Sequence, residues 1–273
     1  MNSCSYNFSI DKFYKFNSSE ILQVLKGEKI AAIFKNIVDI NSISSILDRF
    51  KNNPNTVKRG DIVPAYMLGA FHYGKELDSY FNEVVNYKDS ISNVFLDSEH
   101  FFEKIIADVS SCLKKQGISL RPARYRGISS NPCVIRSCWS DSQGNIILAH
   151  EDAAQLYEPA QQGFEIQKCR NYPVLGVNIC LQDDTESVLR IWDYRPSEKD
   201  RAELGLENKG YPYPFDVLKA YDCIEQEIRA GDLYFFDARN VHAVTSSQGQ
   251  SGYRTTLSCF MSFVDDTTVI YWT

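Results

Sequence analysis

Hydrophobic and polar positions follow two regimes along the chain. In the first, apolar residues recur at helical spacing. Ile21, Leu22 and Leu25 share a face in SSEILQVLKG, and Gly27 supplies the left-handed residue that ends a helix. KIAAIFKNIV then reads as a strand. Asn41 is expected to cap SISSILDRFKNN, where Ile43, Ile46, Leu47 and Phe50 form a stripe. Further helices are predicted from Lys75 to about Leu96 and from Glu99 to Lys115. In the latter Phe102, Ile105, Ile106, Val109 and Leu113 lie on one face. Such stripes predict core contacts. Asn/Ser/Lys-rich segments near 51–60 and 86–93 read as loops or helix ends.

The second regime begins near residue 130. PCVIRSCWS, NIILAH, PVLGVNICL, SVLRIWDY, CIEQEI, DLYFFD and YRTTLSCFMSF are short, rich in β-branched and aromatic residues, and divided by Gly, Pro, Asp and Asn. Strands at this spacing predict a sandwich or jelly roll. The expected fold is mostly β with N-terminal helices. No repeat, low-complexity tract or long linker marks a boundary, so residues 1–273 read as one domain. Within it, 1–125 would be a mainly helical part packed on a β core over 126–273.

Composition narrows the function. At 44% hydrophobic and 23% charged residues the chain has ample material for a core. A net charge of −6 argues against a nucleic-acid binder, which needs a basic face. The longest basic cluster, Lys51 to Arg59, is interrupted by Asn and Pro and reads as a solvated loop. Eight cysteines are scattered without a C-x-x-C pair. The start, MNSCSYNFSIDKFYKF, lacks the basic and apolar regions of a signal peptide, and no run approaches the roughly 18–20 apolar residues of a membrane span. Buried free thiols in a cytoplasmic protein are the expected reading. The expected partner is a small molecule, with no nucleic acid or membrane, and a homodimer is admitted.

The chemistry concentrates in two places. Of four histidines, His150 ends the strand NIILAH, and Asp152 follows two residues later. On extended backbone residues i and i+2 point the same way, so imidazole and carboxylate can meet one ion while Glu151 points away. The second place is RAGDLYFFDARNVHAV, where Gly231-Asp232 makes a turn, Leu233 to Phe236 a strand, and His242 follows a polar turn. Downstream, alternation puts Arg254, Thr256 and Ser258 on one face, with Leu257, Cys259, Met261 and Phe263 on the other. A strand with Arg, Thr and Ser on one face predicts a polar cavity, because a buried arginine needs an anion. Two histidines and one carboxylate with open positions suit non-haem iron, whereas structural zinc would want a fourth protein ligand. The arginine then offers a fork for a carboxylate, and Thr256 adds a hydroxyl. Taken singly, H-x-D arises by chance and a lone histidine is usually core; the order and spacing on strands favour the site. A non-catalytic metal-binding β-barrel is the competing class, and it has no use for Arg254.

With these residues in view, the sequence resembles the iron(II)/2-oxoglutarate-dependent oxygenase superfamily, whose pattern is H-x-D, then H, then R-x-S/T on a double-stranded β-helix, a cupin-like jelly roll. More narrowly it is similar to the group holding the N-succinyl-amino-acid β-hydroxylases and the carrier-independent aliphatic halogenases. The likeness includes GEKIAAIFKNIVDINSISSILDRF, VIRSCWSDSQGNIILAHED and VIYWT. It implies that His150, Asp152 and His242 bind Fe(II), that Arg254 and Thr256 hold 2-oxoglutarate, and that O₂ is the second cosubstrate. The halogenases of that group have glycine or alanine where this chain has Asp152, so the resemblance implies hydroxylation of an unactivated C–H bond in a small molecule, such as an amino acid or N-acyl amino acid. Desaturation, cyclisation or halogenation by the same chemistry is the alternative outcome.

Other residues carry weaker expectations. Arg136 could hold a carboxylate of substrate or cosubstrate, or an ordinary ion pair. His72 reads as structural, with the substrate mouth as the alternative. Gln155, Tyr157 and Phe164 are expected to form a lid. His100 reads as a helix-start residue, and Trp192, Asp193 and Tyr194 as a wall near substrate or as core and surface.

Overall fold

Helix ends in this protein are set by side chains that satisfy free backbone N–H groups. The structure is a computed structural model and describes residues 6–59, 64–96, 101–141, 143–246 and 252–273. Asn17 caps α1 (Ser18–Leu25) by accepting the Ser19 N–H. Helix α2 (Ile40–Asn52) starts earlier than expected, and its cap is Asp39 rather than Asn41. The Asp39 carboxylate accepts from the N–H groups of Asn41 and Ser42, and its charge matches the positive end of the helix dipole, an advantage Asn41 lacks. Helix α3 (Leu77–Val94) runs straight through the polar stretch at 86–93, because Ser90, Ile91 and Val94 there are buried. Helix α4 (Phe101–Lys114) buries Phe102, Ile105, Val109 and Leu113. His100 lies outside the described residues.

The strands before residue 126 are β1 (Asn7–Phe13), β2 (Lys29–Phe34), β3 (Val57–Arg59), β4 (Ala65–Leu68), β5 (Ser119–Pro122) and β6 (Arg124–Tyr125). They are followed by β7 (Ile128–Ser129), β8 (Val134–Cys138), β9 (Asn145–His150), β10 (Val174–Asp183) and β11 (Val188–Trp192). The last are β12 (Cys223–Glu227), β13 (Leu233–Asp237), β14 (His242–Thr245), β15 (Arg254–Asp265) and β16 (Thr268–Trp272). A ten-stranded sheet has the path β1-β2-β13-β10-β15-β8-β4-β3, with β16 joining β15 to β5. A four-stranded sheet runs β12-β11-β14-β9, and β6 and β7 form a small ribbon. The first 125 residues are therefore not only helical: β1 to β5 are integral to the large sheet, so the helical part and the β core expected from the sequence share their main sheet.

Three layers result. One face of the large sheet, with Phe34, Val177, Phe235 and Leu257, packs on apolar stripes of α1, α2, α3 and α4. Its other face, with Ile33, Cys138, Cys180 and Phe236, packs on Ile146, Leu189, Ile191 and Val244 of the small sheet. Between β11 and β12 the chain makes an excursion carrying two short helices, α5 (Glu198–Leu204) and α6 (Phe215–Leu218). All seven described cysteines are free; five are buried, but Cys223 is exposed. Among the described residues no helix is long and apolar enough to cross a membrane.

Candidate active site

Two neighbouring strands bring the histidines together. His242 on β14 pairs directly with His150 on β9 in antiparallel register, so both imidazoles leave the same face. Their ring centroids lie 4.1 Å apart. Asp152, two residues past His150, leaves the strand through a turn anchored by its N–H donating to the Ala238 carbonyl, 2.9 Å. One Asp152 oxygen lies 3.3 Å from His242 Nε2 and the other 4.0 Å from His150 Nε2. Ligand atoms of these three residues all fall within 4.8 Å of one another, the only such group of three or more among the described residues.

The imidazoles are oriented from behind. His150 Nδ1 lies 2.7 Å from the Leu148 carbonyl and His242 Nδ1 2.9 Å from that of Asn240. Each carbonyl can only accept, so Nδ1 carries the proton and the Nε2 lone pair faces Asp152, the tautomer a metal ligand requires. Burial, then the neighbouring His242, pushes His150 down to about 4, with Asp152 opposing. Burial alone would raise the Asp152 carboxyl, but the neighbouring His242 and His150 hold it below the usual carboxylate range. A neutral imidazole pair beside an ionised carboxylate is the protonation state in which all three can donate to a cation.

The turn that carries Asp152 is locked from outside. Glu151 accepts the N–H groups of Ala153 and Ala154, and the buried Arg201 of α5 approaches it to 3.5 Å. Burial pushes the Glu151 carboxyl up to about 7, with Arg201 opposing. On the other strand, Asp237 is fully buried and takes hydrogen bonds from Arg195 at 2.9 Å and Arg239 at 2.6 Å, while Arg195 also donates to Asn240. That network fixes the β13–β14 turn whose Asn240 carbonyl orients His242.

A cavity of about 160 Å³ opens over the three residues. One water needs about 10–15 Å³ by this measure, so the space is of ligand size. Arg254, Thr256 and Ser258 line it, as alternation on β15 requires, while Leu257, Met261 and Phe263 point into the helix-side core. Arg254 is 2% exposed, donates to Tyr234 Oη at 2.8 Å and to Ser187 Oγ, and has no carboxylate in ion-pair range among the described residues. Arg136 also faces the cavity, cross-strand from Thr256, and its buried Nε has no partner.

Several expected site residues lie elsewhere. Gln155 does line the cavity, its Nε2 3.5 Å from Asp152. Phe164, however, is core beside Tyr80 and Phe81, and Tyr157 packs under Arg170 and Arg201, because the 3-10 turns after Asp152 fold down onto the sheet instead of over the site. His72 is wholly buried, bonded through Nδ1 to Gln161 at 3.3 Å, and does not line the mouth. Trp192 and Tyr194 join a separate apolar cluster, and Asp193 is exposed. Conversely, Arg59, at the end of the basic stretch expected to be a solvated loop, forms part of the cavity wall, while Lys51 and Lys58 are exposed as expected. Phe71, Tyr73, Lys209 and Tyr211 complete it, with Tyr73 Oη donating to the Lys209 carbonyl at 3.2 Å. Only Tyr234 had a local signal, since alternation in LYFFD puts it on the cavity face with Phe236; the others are distant loop residues.

Comparison with known proteins agrees with this geometry. Residues 7–273 match the family model described as carrier-protein-independent halogenase WelO5. The L-isoleucine 3(1)-dioxygenase of Pantoea ananatis is 30% identical over 212 residues, covering 76% of this chain and 69% of that protein. A crystal structure of an N-substituted L-amino acid dioxygenase from Burkholderia ambifaria shares the fold, with TM-score 0.61, 16% identity, and coverage of 94% of this chain and 91% of that one. The same protein in complex with alpha-KG superposes with TM-score 0.60 at 15% identity over the same 94% and 91%. The chain therefore belongs to the carrier-protein-independent halogenase WelO5 family, within the iron(II)/2-oxoglutarate-dependent oxygenases.

Proposed function

We propose that the protein hydroxylates an unactivated C–H bond of an amino acid or N-acyl amino acid, consuming 2-oxoglutarate and O₂ and releasing succinate and CO₂. The observation that carries this reading is a buried guanidinium, Arg254, with no carboxylate in ion-pair range among the described residues, in the same cavity as His150, Asp152 and His242. His150, Asp152 and His242 would hold Fe(II); two neutral imidazoles and one carboxylate on one side of an ion leave positions open for other ligands. Bound there with its cosubstrates, the iron supplies the C–H oxidation, one oxygen atom of O₂ entering the product and the other succinate. Arg254 offers a two-pronged grip for the far carboxylate of 2-oxoglutarate, with Thr256 adding a hydroxyl, and Arg136 is placed for a carboxylate of substrate or cosubstrate. The aromatic wall of Phe71, Tyr73 and Tyr211 would exclude water from the reacting carbon. Asp152 favours hydroxylation over halide transfer, because its carboxylate fills the corner a chloride would need.

The same reading takes the paired sheets as a double-stranded β-helix core and the whole chain as one oxygenase domain, supported by the small sheet packing on the large one across the site. Free thiols fit a cytoplasmic setting. The test is anaerobic titration of the iron(II)-loaded protein with 2-oxoglutarate, read by the weak visible absorption of the chelate, followed by ¹⁸O₂ turnover. A product without ¹⁸O, or no chelate band, would sink the assignment.

A further inference from the structure

Arginines form a track across the cavity face of the large sheet. The ladder aligns Arg254 of β15 with Cys138 of β8, Cys138 with Ala65 of β4, and Ala65 with Arg59 of β3. Directly paired residues on neighbouring strands project from the same face, so Arg254 and Arg59 share one row. Arg136 stands between them, two residues before Cys138 and hence on the same face. Three interstrand steps at ~4.8 Å put the Cα atoms of Arg254 and Arg59 on the order of 14 Å apart. A five-carbon diacid gripped by Arg254 and chelated to the metal has no end left for Arg59.

Arg59 nevertheless has the setting of a binding group. It lines the cavity, and its guanidinium lies 4.8 Å over the Phe71 ring, which limits its rotamers. No carboxylate is in ion-pair range of Arg59, Arg136 or Lys209 among the described residues, although the chain carries a net charge of −6. Burial first, and the neighbouring Arg136 second, lower the proton affinity of Arg59. Charge accounting points the same way. A divalent metal and a dianionic cosubstrate cancel, Glu151 is spent on Arg201, and among the described lining residues Asp152 is then the one carboxylate facing Arg59, Arg136, Lys209 and Arg254.

We propose that Arg59 is the substrate-carboxylate anchor: the substrate is an organic acid whose carboxylate is held by Arg59 at the end of the cavity away from Arg254, with Arg136 flanking it. This rests on the oxygenase reading above. The carboxylate sets which carbon reaches the metal, so Arg59 is a specificity-determining residue.

The test uses the iron(II)-loaded full chain and a panel of the common L-amino acids, free and N-acetylated, each as the acid and as the primary amide. Two quantities are read: 2-oxoglutarate affinity from the chelate band, and substrate turnover by mass spectrometry, with KM and kcat separated. Acids should be oxidised and their amides rejected. Arg59→Met should raise KM for the best acid by about 30-fold or more, the loss expected when one partner of a desolvated charge pair is removed. Its 2-oxoglutarate affinity should stay within about twofold of wild type, and Arg59→Lys should recover part of the loss. Weakened 2-oxoglutarate binding in Arg59→Met would assign Arg59 to the cosubstrate and overturn the proposal. So would amides accepted as well as acids, a KM indifferent to Arg59, or a panel in which no acid is a substrate. Failure of the wild type to form the chelate band would instead refute the oxygenase reading itself.

Discussion

At the scale of single residues the site is defined by which charges have partners. Arg254 is buried against the hydroxyls of Tyr234 and Ser187, and burial alone would make its charge costly. Its natural complement is a ligand carboxylate. Arg254→Ala should weaken 2-oxoglutarate binding by roughly 2–5 kcal/mol while His150, Asp152 and His242 still take up the metal. Arg254→Lys keeps the charge but loses the fork and should fall between. Titration of the chelate band against 2-oxoglutarate measures both; unchanged affinity in Arg254→Ala would remove Arg254 from the role. Asp152 carries a second prediction. Its oxygen lies 3.3 Å from His242 Nε2, inside the ligand cluster, so a halide would have to displace a tethered carboxylate. Mass spectrometry of wild-type product formed in abundant chloride should show hydroxylation only, and a chlorinated main product would contradict the assignment. Asp152→Gly should lose most hydroxylation.

At the scale of elements, the excursion between β11 and β12 is tied to the metal-side turn. Arg201 of α5 reaches Glu151, the Glu151 N–H donates to the Gly210 carbonyl at 2.9 Å, and Lys209 and Tyr211 beside Gly210 line the cavity. Gly210 has φ +66, and a Cβ there would crowd the Glu151 carbonyl and sit 3.0 Å from Ala154 Cβ, so only glycine lets the two segments touch. At alkaline pH, where the Glu151 carboxyl is driven to ionise, Arg201→Met leaves it buried without its cation and should cost about 3–5 kcal/mol of stability. Adding Glu151→Gln should restore part of it, since the uncompensated charge is then gone. Urea unfolding of the two single variants and the double variant closes the cycle; purely additive losses would show that the pair is not coupled. A similar close approach occurs on β10, where a Cβ on Gly176 would lie 2.7 Å from the Phe236 ring, itself edge-on to His242 at 4.6 Å.

At the scale of the whole molecule, the buried histidine His72 contributes to acid stability alongside His150. Burial pushes it from 6.5 down to about 4, with the Gln161 hydrogen bond opposing. The folded chain keeps His72 neutral where the unfolded chain takes a proton. Its contribution is therefore intact above the unfolded value and is lost as pH falls toward 4. At about 1.4 kcal/mol per unit, roughly 2–3 kcal/mol goes between pH 6.5 and 4.5. Glu151 works in the other direction: burial raises its carboxyl from 4.5 to about 7, so its contribution is largest in acid and falls as pH rises toward 7. In metal-free protein the acid-side drop in urea stability should be smaller in His72→Gln than in wild type. Equal drops would place the acid sensitivity elsewhere.

Local pattern was enough to read β8 to β13 and β15, though not β14 or β16, and it set the i, i+2 geometry of His150 and Asp152 and the split of β15 into a polar and an apolar face. These follow from local rules: strand pleat, turn residues and alternation act over a few positions. The order of motif residues likewise carried the family resemblance. What depends on partners far along the chain was settled by long-range packing. Asp39 rather than Asn41 caps α2 because the backbone bends into the helix two residues earlier. The N-terminal strands join the large sheet through pairing of β2 with β13 and β4 with β8, contacts between residues that local pattern cannot relate. Arg59 faces the cavity because β3 and β4 extend the row that begins at Arg254. Phe164 and Tyr157 fail to cover the site because burying their rings in the core and under arginines is worth more than exposing them at a cavity mouth. Chain-local chemistry chose the metal-side residues, and long-range strand pairing chose what surrounds them.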